Sequence, residues 1–286
     1  ANTQPAILTV SIAAYRVLTR QLKIRPLLAA GHSLGEYSAL VAAGALPFTD
    51  AVRIVRARGK FMQTAVPAGL GTMAAVMGMD SERVIDICGY ASCAKTRQIV
   101  EPANFNCPGQ IVISGHTPAI MKAGEQAQKA GASRVVKLPV SAPFHCSLMR
   151  PAAEKLADHF SDVKVDEPDI PIISNVDADT NYHADSVRRL LVQQVSSAVR
   201  WEESMRLAVN RGVTRVVEIG PGRAYGINNK GTVVGVSWIS EKERGLIFRN
   251  GEVKVVGPED VTTSLHDINE HDVAVGLGVR HVQIYD

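Results

Sequence analysis

A chain of 286 residues can hold one large domain or two smaller ones, with ample core. Hydrophobic residues make up 46% and charged residues 21%, and a net charge of +3 with scattered Lys and Arg gives no ground for nucleic-acid binding. No apolar stretch reaches the roughly 18 residues that span a bilayer, and no signal peptide is visible. Cys88, Cys93, Cys107 and Cys146 form no C-x-x-C pair and no histidine stands at zinc-like spacing, so they read as buried thiols of a reducing compartment, with no metal site.

In chain order, Thr3-Gln4-Pro5 leads into an apolar-periodic helix over 4–22 (Ile7, Val10, Ala13, Val17), with Thr3 placed to cap it and Pro5 tolerated in the first turn. A chain opening on Ala1 and running straight into that helix reads as beginning inside a domain. Strand 26–31, helix 34–45 and helix 49–65 follow, an alternation that suggests a parallel sheet flanked by helices. Gly69-Leu70-Gly71 reads as a hinge. Beyond it come strand 72–79, helix 81–93, strands 98–104 and 110–114, helix 118–130 ended by Gly131, and strand 134–139. That β-α-β-β-α-β order is the ferredoxin-like signature, here as an insert in the larger domain. The larger domain resumes with helix 147–160, strand 170–174, helices 184–194 and 201–211 and strand 214–218, and Gly220-Pro221-Gly222 closes it.

Past Gly222 the helical periodicity stops, and short β-rich runs alternate with turns such as Arg249-Asn250-Gly251-Glu252, a hairpin signal. Ile227–Gly235 aligns with Ile268–Gly276 at an offset of 41 residues, within the range of propeller-like blades. One blade and part of a second fall short of the about three units that such arrays need, so this tail is expected to be poorly packed.

The chemistry-bearing motif is Gly31-His32-Ser33-Leu34-Gly35, between the apolar run Leu27–Ala30 and a helix. Strand, G-x-S-x-G and helix make the context of a nucleophile elbow, in which the glycines allow a tight turn that lifts the serine hydroxyl clear. The Leu34 N–H then points from a helix N-terminus to where an oxyanion would form. Read alone, His145 after Pro143-Phe144 could be structural or a general base, and Arg58, near Arg53, Arg56 and Lys60, could lie on a solvated helix face or bind an anion.

Residues 2–223 resemble the malonyl-CoA:acyl-carrier-protein transacylase family. The resemblance rests on Asn2–Ala6, Gly31–Leu40, Arg58-Gly59-Lys60-Phe61-Met62, Asn104–Gln110, Pro143-Phe144-His145 and Glu218–Gly222. It implies an α/β fold, a hydrolase-like parallel-sheet core with an inserted ferredoxin-like subdomain, to which the β-rich tail is added. The divisions are 1–69 with 140–223 for the acyltransferase core, 70–139 for the subdomain and 224–286 for the tail. It also implies a cytoplasmic, monomeric transferase of fatty-acid biosynthesis, with malonyl-CoA and acyl carrier protein as partners and no cofactor beyond the carrier's phosphopantetheine.

By the same resemblance, Ser33 is the nucleophile, His145 the base, Gln194 the residue whose main-chain carbonyl orients the histidine, Leu34 an oxyanion donor and Arg58 the binder of the malonyl carboxylate. Phe144 matches the family's preference for malonyl over methylmalonyl. Asn106 and Asn175 fall in family-like contexts and are expected to bond to loop backbone rather than line the cleft. His116, His159 and His183 read as surface or loop residues. Ser197-Ala198 departs from the family's usual Asn-Pro. The family's opening strand and Gly-Gln-Gly-Ser-Gln turn, which supply a second oxyanion donor, do not occur in this sequence, so the chain reads as truncated. Residues 224–286 resemble HAF-type bacterial β repeats. Two other readings remain: a serine esterase or thioesterase, which shares the elbow without needing Arg58, and an inactive truncated fusion acting as an interaction protein.

Overall fold

The computed structural model describes residues 2–22, 25–181, 183–214 and 216–220 and seven strands between 223 and 285; at 21, 22 and from 223 onward the backbone alone is described. The chain forms two compact units, one of Ala1–Ile12 with Ile24–Val217, the other of Ala13–Lys23 with Glu218–Asp286.

The first unit contains two sheets. In the α/β core, β1 (Ala29–Ala30) runs parallel to β6 (Ile172–Ile173), which pairs antiparallel with β7 (Thr180–Asn181). Around them lie α2 (Leu34–Ala42), α3 (Phe48–Thr64), α6 (Arg150–Phe160), α7 (Ala184–Gln194) and α8 (Trp201–Asn210). Leu8 and Ile12 of α1 (Thr3–Leu22), Tyr37 and Leu40 of α2, Ile54 and Val55 of α3, Leu156 and Phe160 of α6 and Leu191 of α7 share one buried cluster. Burying such a side chain stabilises by about 1.5–3 kcal/mol, so this cluster rather than the two-residue strands holds the core.

The inserted sheet is complete. β2 (Gly71–Met77), α4 (Ser81–Ala91), β3 (Val100–Cys107), β4 (Gln110–His116), α5 (Thr117–Lys129) and β5 (Arg134–Lys137) give the antiparallel order β3-β4-β2-β5, the ferredoxin-like arrangement. Strand alternation decides what each face covers. Val76, Ile111 and Ile113 pack under α4 and α5, whereas Met73, Ala75 and Val112 face the other way, beside Phe144. Phe144 also packs against the core cluster, so the residue next to His145 ties the two sheets together. Gly71 is required there, because a Cβ on it would lie 2.4 Å from Pro143 Cγ.

Several sequence expectations change. Thr3 lies within the first turn of α1, and the Asn2 carbonyl accepts from the Ala6 N–H in its place. Helix 147–160 begins as a 3-10 turn, Ser147–Met149, before the α6 proline can enter an α-helical first turn. Strand 26–31 contracts to two residues, and the described residues of 214–218 are not in a strand, with Val216 and Val217 exposed. Their apolar pattern suits a sheet, but a strand needs a paired neighbour, and this segment pairs with none of the described strands. Of the four thiols only Cys88 and Cys146 are buried; Cys107 is exposed because it ends β3 at the hairpin turn.

In the second unit, β8 (Arg223–Ile227), β9 (Val233–Ile239), β10 (Lys242–Arg249) and β11 (Glu252–Val256) form an antiparallel meander. β12 (Thr263–Ile268), β13 (Ala274–Gly278) and β14 (Val282–Tyr285) form a second. The 41-residue repeat is structural: Ile227 pairs with Val233 and Ile268 with Ala274, and a register shift falls at Ala224/Gly226 and again at Leu265/Asp267. Arg249 pairs with Glu252, closing the hairpin at the turn signal, whose Asn250 and Gly251 lie outside the described residues, as do Pro221 and Gly222.

Candidate active site

The elbow begins where β1 ends. A Cβ on Gly31 would lie 2.0 Å from the carbonyl carbon of Gly35, so the turn closes only with glycine at that position. Ser33 sits at φ 52° and ψ −103°, a conformation that costs a non-glycine residue about 1–3 kcal/mol. His145 also has a positive φ, 59°. Both strained residues therefore need anchoring, and the surrounding side chains provide it.

Asn175, wholly buried just after β6, donates from Nδ2 to the Gly31 carbonyl (2.8 Å) and accepts the Ser33 N–H at Oδ1 (2.6 Å), clamping the turn from both sides. The backbone-bonding role expected of it is what the structure shows. Asn106 Oδ1 instead accepts from His32 Nε2 (3.0 Å), and His32 packs edge-on against Trp201 with ring centroids 5.5 Å apart.

Ser33 Oγ lies 2.7 Å from His145 Nε2, and His145 Nδ1 lies 2.9 Å from the Gln194 main-chain oxygen. A carbonyl only accepts, so Nδ1 carries the proton and Nε2 is left to accept from the serine hydroxyl. Burial, reinforced by the positive Arg58, pushes the imidazole pKa down to about 3, so His145 is neutral at physiological pH and able to receive a proton.

Arg58, on α3, is 2% exposed rather than on a solvated face. Its guanidinium donates to Ser33 Oγ (3.0 Å), to Gln194 Oε1 (2.9 Å) and to Gln4 Oε1 (2.9 Å), and stands over the Tyr37 ring at 5.4 Å. Every one of these partners is neutral. Its Nε is buried without a hydrogen bond, and no ion pair among the described residues includes it. A buried cation beside a nucleophile, with no carboxylate in hydrogen-bond reach, is built to meet an anion.

Gln194 reaches further than its carbonyl. Its amide Nε2 donates to Glu36 Oε2 (2.7 Å) and to the Ser33 carbonyl (2.9 Å). Glu36, on α2 and 2% exposed, also accepts the Asn175 N–H (3.1 Å). Its pKa is raised to about 7, chiefly by burial. Leu34 heads α2 and its N–H has no acceptor among the described residues. Gln4, His32, Ser33, Leu34, Arg58, Met62, Phe144 and His145 line a cavity of about 160 Å³.

Four of the five sequence-expected residues, Ser33, Leu34, Arg58 and His145, line one cavity, and Gln194 stands buried behind it, bonded to His145 and Arg58, whereas His116, His159 and His183 lie elsewhere. Gln4 and Glu36 were not singled out by sequence. Glu36 had a signal, a carboxylate on an otherwise apolar helical face; Gln4 had none. No group of three or more His, Cys, Asp or Glu among the described residues could hold a metal ion, and no helix there is long and apolar enough to cross a membrane.

The acyl transferase domain family matches residues 1–237. The chain belongs to that family. It is 48% identical over 222 residues to the malonyl CoA-acyl carrier protein transacylase of Escherichia coli K12, covering 78% of this chain and 71% of that one. Among solved structures, an acyl carrier protein S-malonyltransferase from Vibrio cholerae is 43% identical with a TM-score of 0.75, over 77% of this chain and 71% of that one. A malonyl-transacylase solved in complex with its type II PKS acyl-carrier protein is 45% identical, also with a TM-score of 0.75 and with the same coverage. The acyl transferase family thereby accounts for the α/β core and the inserted sheet.

Proposed function

We propose that this chain moves a malonyl group from coenzyme A to acyl carrier protein through an ester on Ser33, in fatty-acid biosynthesis. The observation that carries the reading is Arg58, a buried guanidinium in no ion pair among the described residues, 3.0 Å from the nucleophile. An acyl group ending in a carboxylate supplies that anion; an acetyl group does not.

Ser33 Oγ attacks the thioester carbonyl while His145 Nε2 takes its proton, and the Leu34 N–H stabilises the oxyanion. Collapse breaks the C–S bond, and the imidazolium returns the proton to the leaving thiolate. The malonyl carboxylate replaces the serine hydroxyl at Arg58. In the second half, the carrier's pantetheine thiol gives its proton to Nε2, sulfur attacks the ester, and Oγ leaves and is reprotonated. Ping-pong kinetics follow. We assign Gln194 the anchoring of His145 through its carbonyl. Nucleophile, base and cation together account for both half-reactions without a cofactor. Four free thiols support a cytoplasmic setting, and we expect a monomer.

Intact-mass measurement after incubation with malonyl-CoA should show one malonyl adduct, absent in Ser33→Ala and discharged by holo acyl carrier protein. Discharge to water alone identifies a thioesterase instead, and no adduct on folded protein rejects the transfer reading. Arg58→Ala should lower malonyl transfer by about 10²-fold or more while leaving acetyl transfer within a few-fold, in keeping with the loss of a buried charged hydrogen bond. Equal losses on both substrates would sink the assignment of Arg58.

A further inference from the structure

Gln194 presents three groups in three directions, and only one of them is main chain. The carbonyl accepts from His145, Oε1 accepts from Arg58, and Nε2 donates to Glu36 and to the Ser33 carbonyl. An amide can turn over by 180°, exchanging oxygen for nitrogen at almost no steric cost. Turned over, Gln194 would aim an N–H₂ at the Arg58 guanidinium, donor against donor, and leave the cation without its buried acceptor. Something must hold the amide the right way round.

The Ser33 carbonyl contributes, but the shorter contact is to Glu36 Oε2, 2.7 Å against 2.9 Å. The same oxygen accepts the Asn175 main-chain N–H. Asn175 in turn holds both ends of the elbow. Glu36 lies directly on neither the cavity nor the nucleophile, since the cavity lining does not include it.

We propose that Glu36 is a positioning residue for acyl-group specificity: its Oε2 fixes the orientation of the Gln194 amide, and through it the guanidinium of Arg58 that receives the substrate carboxylate. This inference rests on the malonyl-transfer reading. The role is that of an oriented acceptor, which makes it separable from a general need for negative charge. Glu36→Gln can still offer an amide oxygen to Gln194 Nε2 and the Asn175 N–H; Glu36→Leu cannot.

The test compares malonyl-CoA with acetyl-CoA in wild type, Glu36→Leu and Glu36→Gln. In Glu36→Leu the KM for malonyl-CoA should rise about tenfold with acetyl transfer within about threefold, so the malonyl preference drops. Glu36→Gln should keep the preference within about threefold of wild type. Introducing Glu36→Leu into a Gln194→Leu background should change the preference no further, because the residue it acts through is gone. An unchanged preference in folded Glu36→Leu, or a Glu36→Gln variant as impaired as Glu36→Leu, overturns the proposal. If Glu36→Leu does not fold, Glu36→Gln decides: a tenfold loss of preference there rejects orientation in favour of charge. Absence of any malonyl ester in wild type overturns the transfer reading and this proposal together, whereas an ester with unaltered preference overturns this one alone.

Discussion

The two sheets of the first unit are built on opposite principles. The inserted sheet has strands of four to eight residues in an extended antiparallel ladder, broken only by two register shifts between β3 and β4, with apolar side chains buried on both faces. The core sheet has three strands of two residues each, yet the reacting groups stand at its edge. What the core lacks in ladder it replaces with buried side-chain hydrogen bonds, from Asn175 to the elbow and from Glu36 through Gln194 to Arg58. Backbone pairing and apolar packing make a stable scaffold; oriented polar side chains make a strained turn hold one geometry.

That contrast can be broken most severely at Asn175. Asn175→Leu leaves the Ser33 N–H and the Gly31 carbonyl without their partner, costing about 2–6 kcal/mol at roughly 1–3 kcal/mol per buried unpaired group. Seryl-ester formation should fall by about 10²-fold per folded molecule, as expected when a nucleophile is displaced by about 1 Å. Ile113→Ala in the inserted sheet should cost a similar stability, about 2–5 kcal/mol by cavity formation. Its rate per folded molecule should stay within a few-fold. Urea unfolding and single-turnover acylation measure the two, and a large rate loss in Ile113→Ala would show that the scaffold and the site are not separable in this way.

A milder probe uses pH. His145 has a folded pKa of about 3 against an ordinary 6.5, so above pH 6.5 it is neutral in both states. As pH falls below 6.5 the unfolded chain takes a proton that the folded chain refuses, and stability is lost. Glu36 works in the other direction, since its pKa of about 7 against 4.5 lets the folded chain gain a proton, and stability, over the same range. Replacing His145 by Asn removes the first slope and keeps the second. The stability of His145→Asn relative to wild type should therefore improve steadily from pH 6.5 to 4.5. A difference independent of pH would mean that the histidine is solvated rather than buried.

The smallest effect is expected where the two sheets meet through an accessible contact. Asn106→Ala removes one hydrogen bond to His32, an exposed residue, and should cost less than about 1 kcal/mol. Acylation should change by only a few-fold. A loss comparable to that of Asn175→Leu would place Asn106 among the groups that hold the elbow.

By itself, sequence determined the order of elements, because amphipathic periods and turn residues are local: α7 falls at Ala184–Gln194 as its pattern predicts, and the β-α-β-β-α-β insert follows from alternating runs broken by glycine. The G-x-S-x-G turn is equally local, since the clash at Gly31 arises within five residues. The tail's repeat was legible for the same reason, and its register shifts recur at the same offset. Strand 214–218 could not be decided that way, because a strand exists only with a neighbour. Nor could the state of Arg58, which reads as a solvated lysine- and arginine-rich face until α1, α2 and α7 close over it with Gln4, Tyr37 and Gln194. The Glu36–Gln194–Arg58 chain joins positions 36, 194 and 58, which no periodicity relates. Only tertiary structure brings them together, because burial makes each depend on the others for a hydrogen-bond partner.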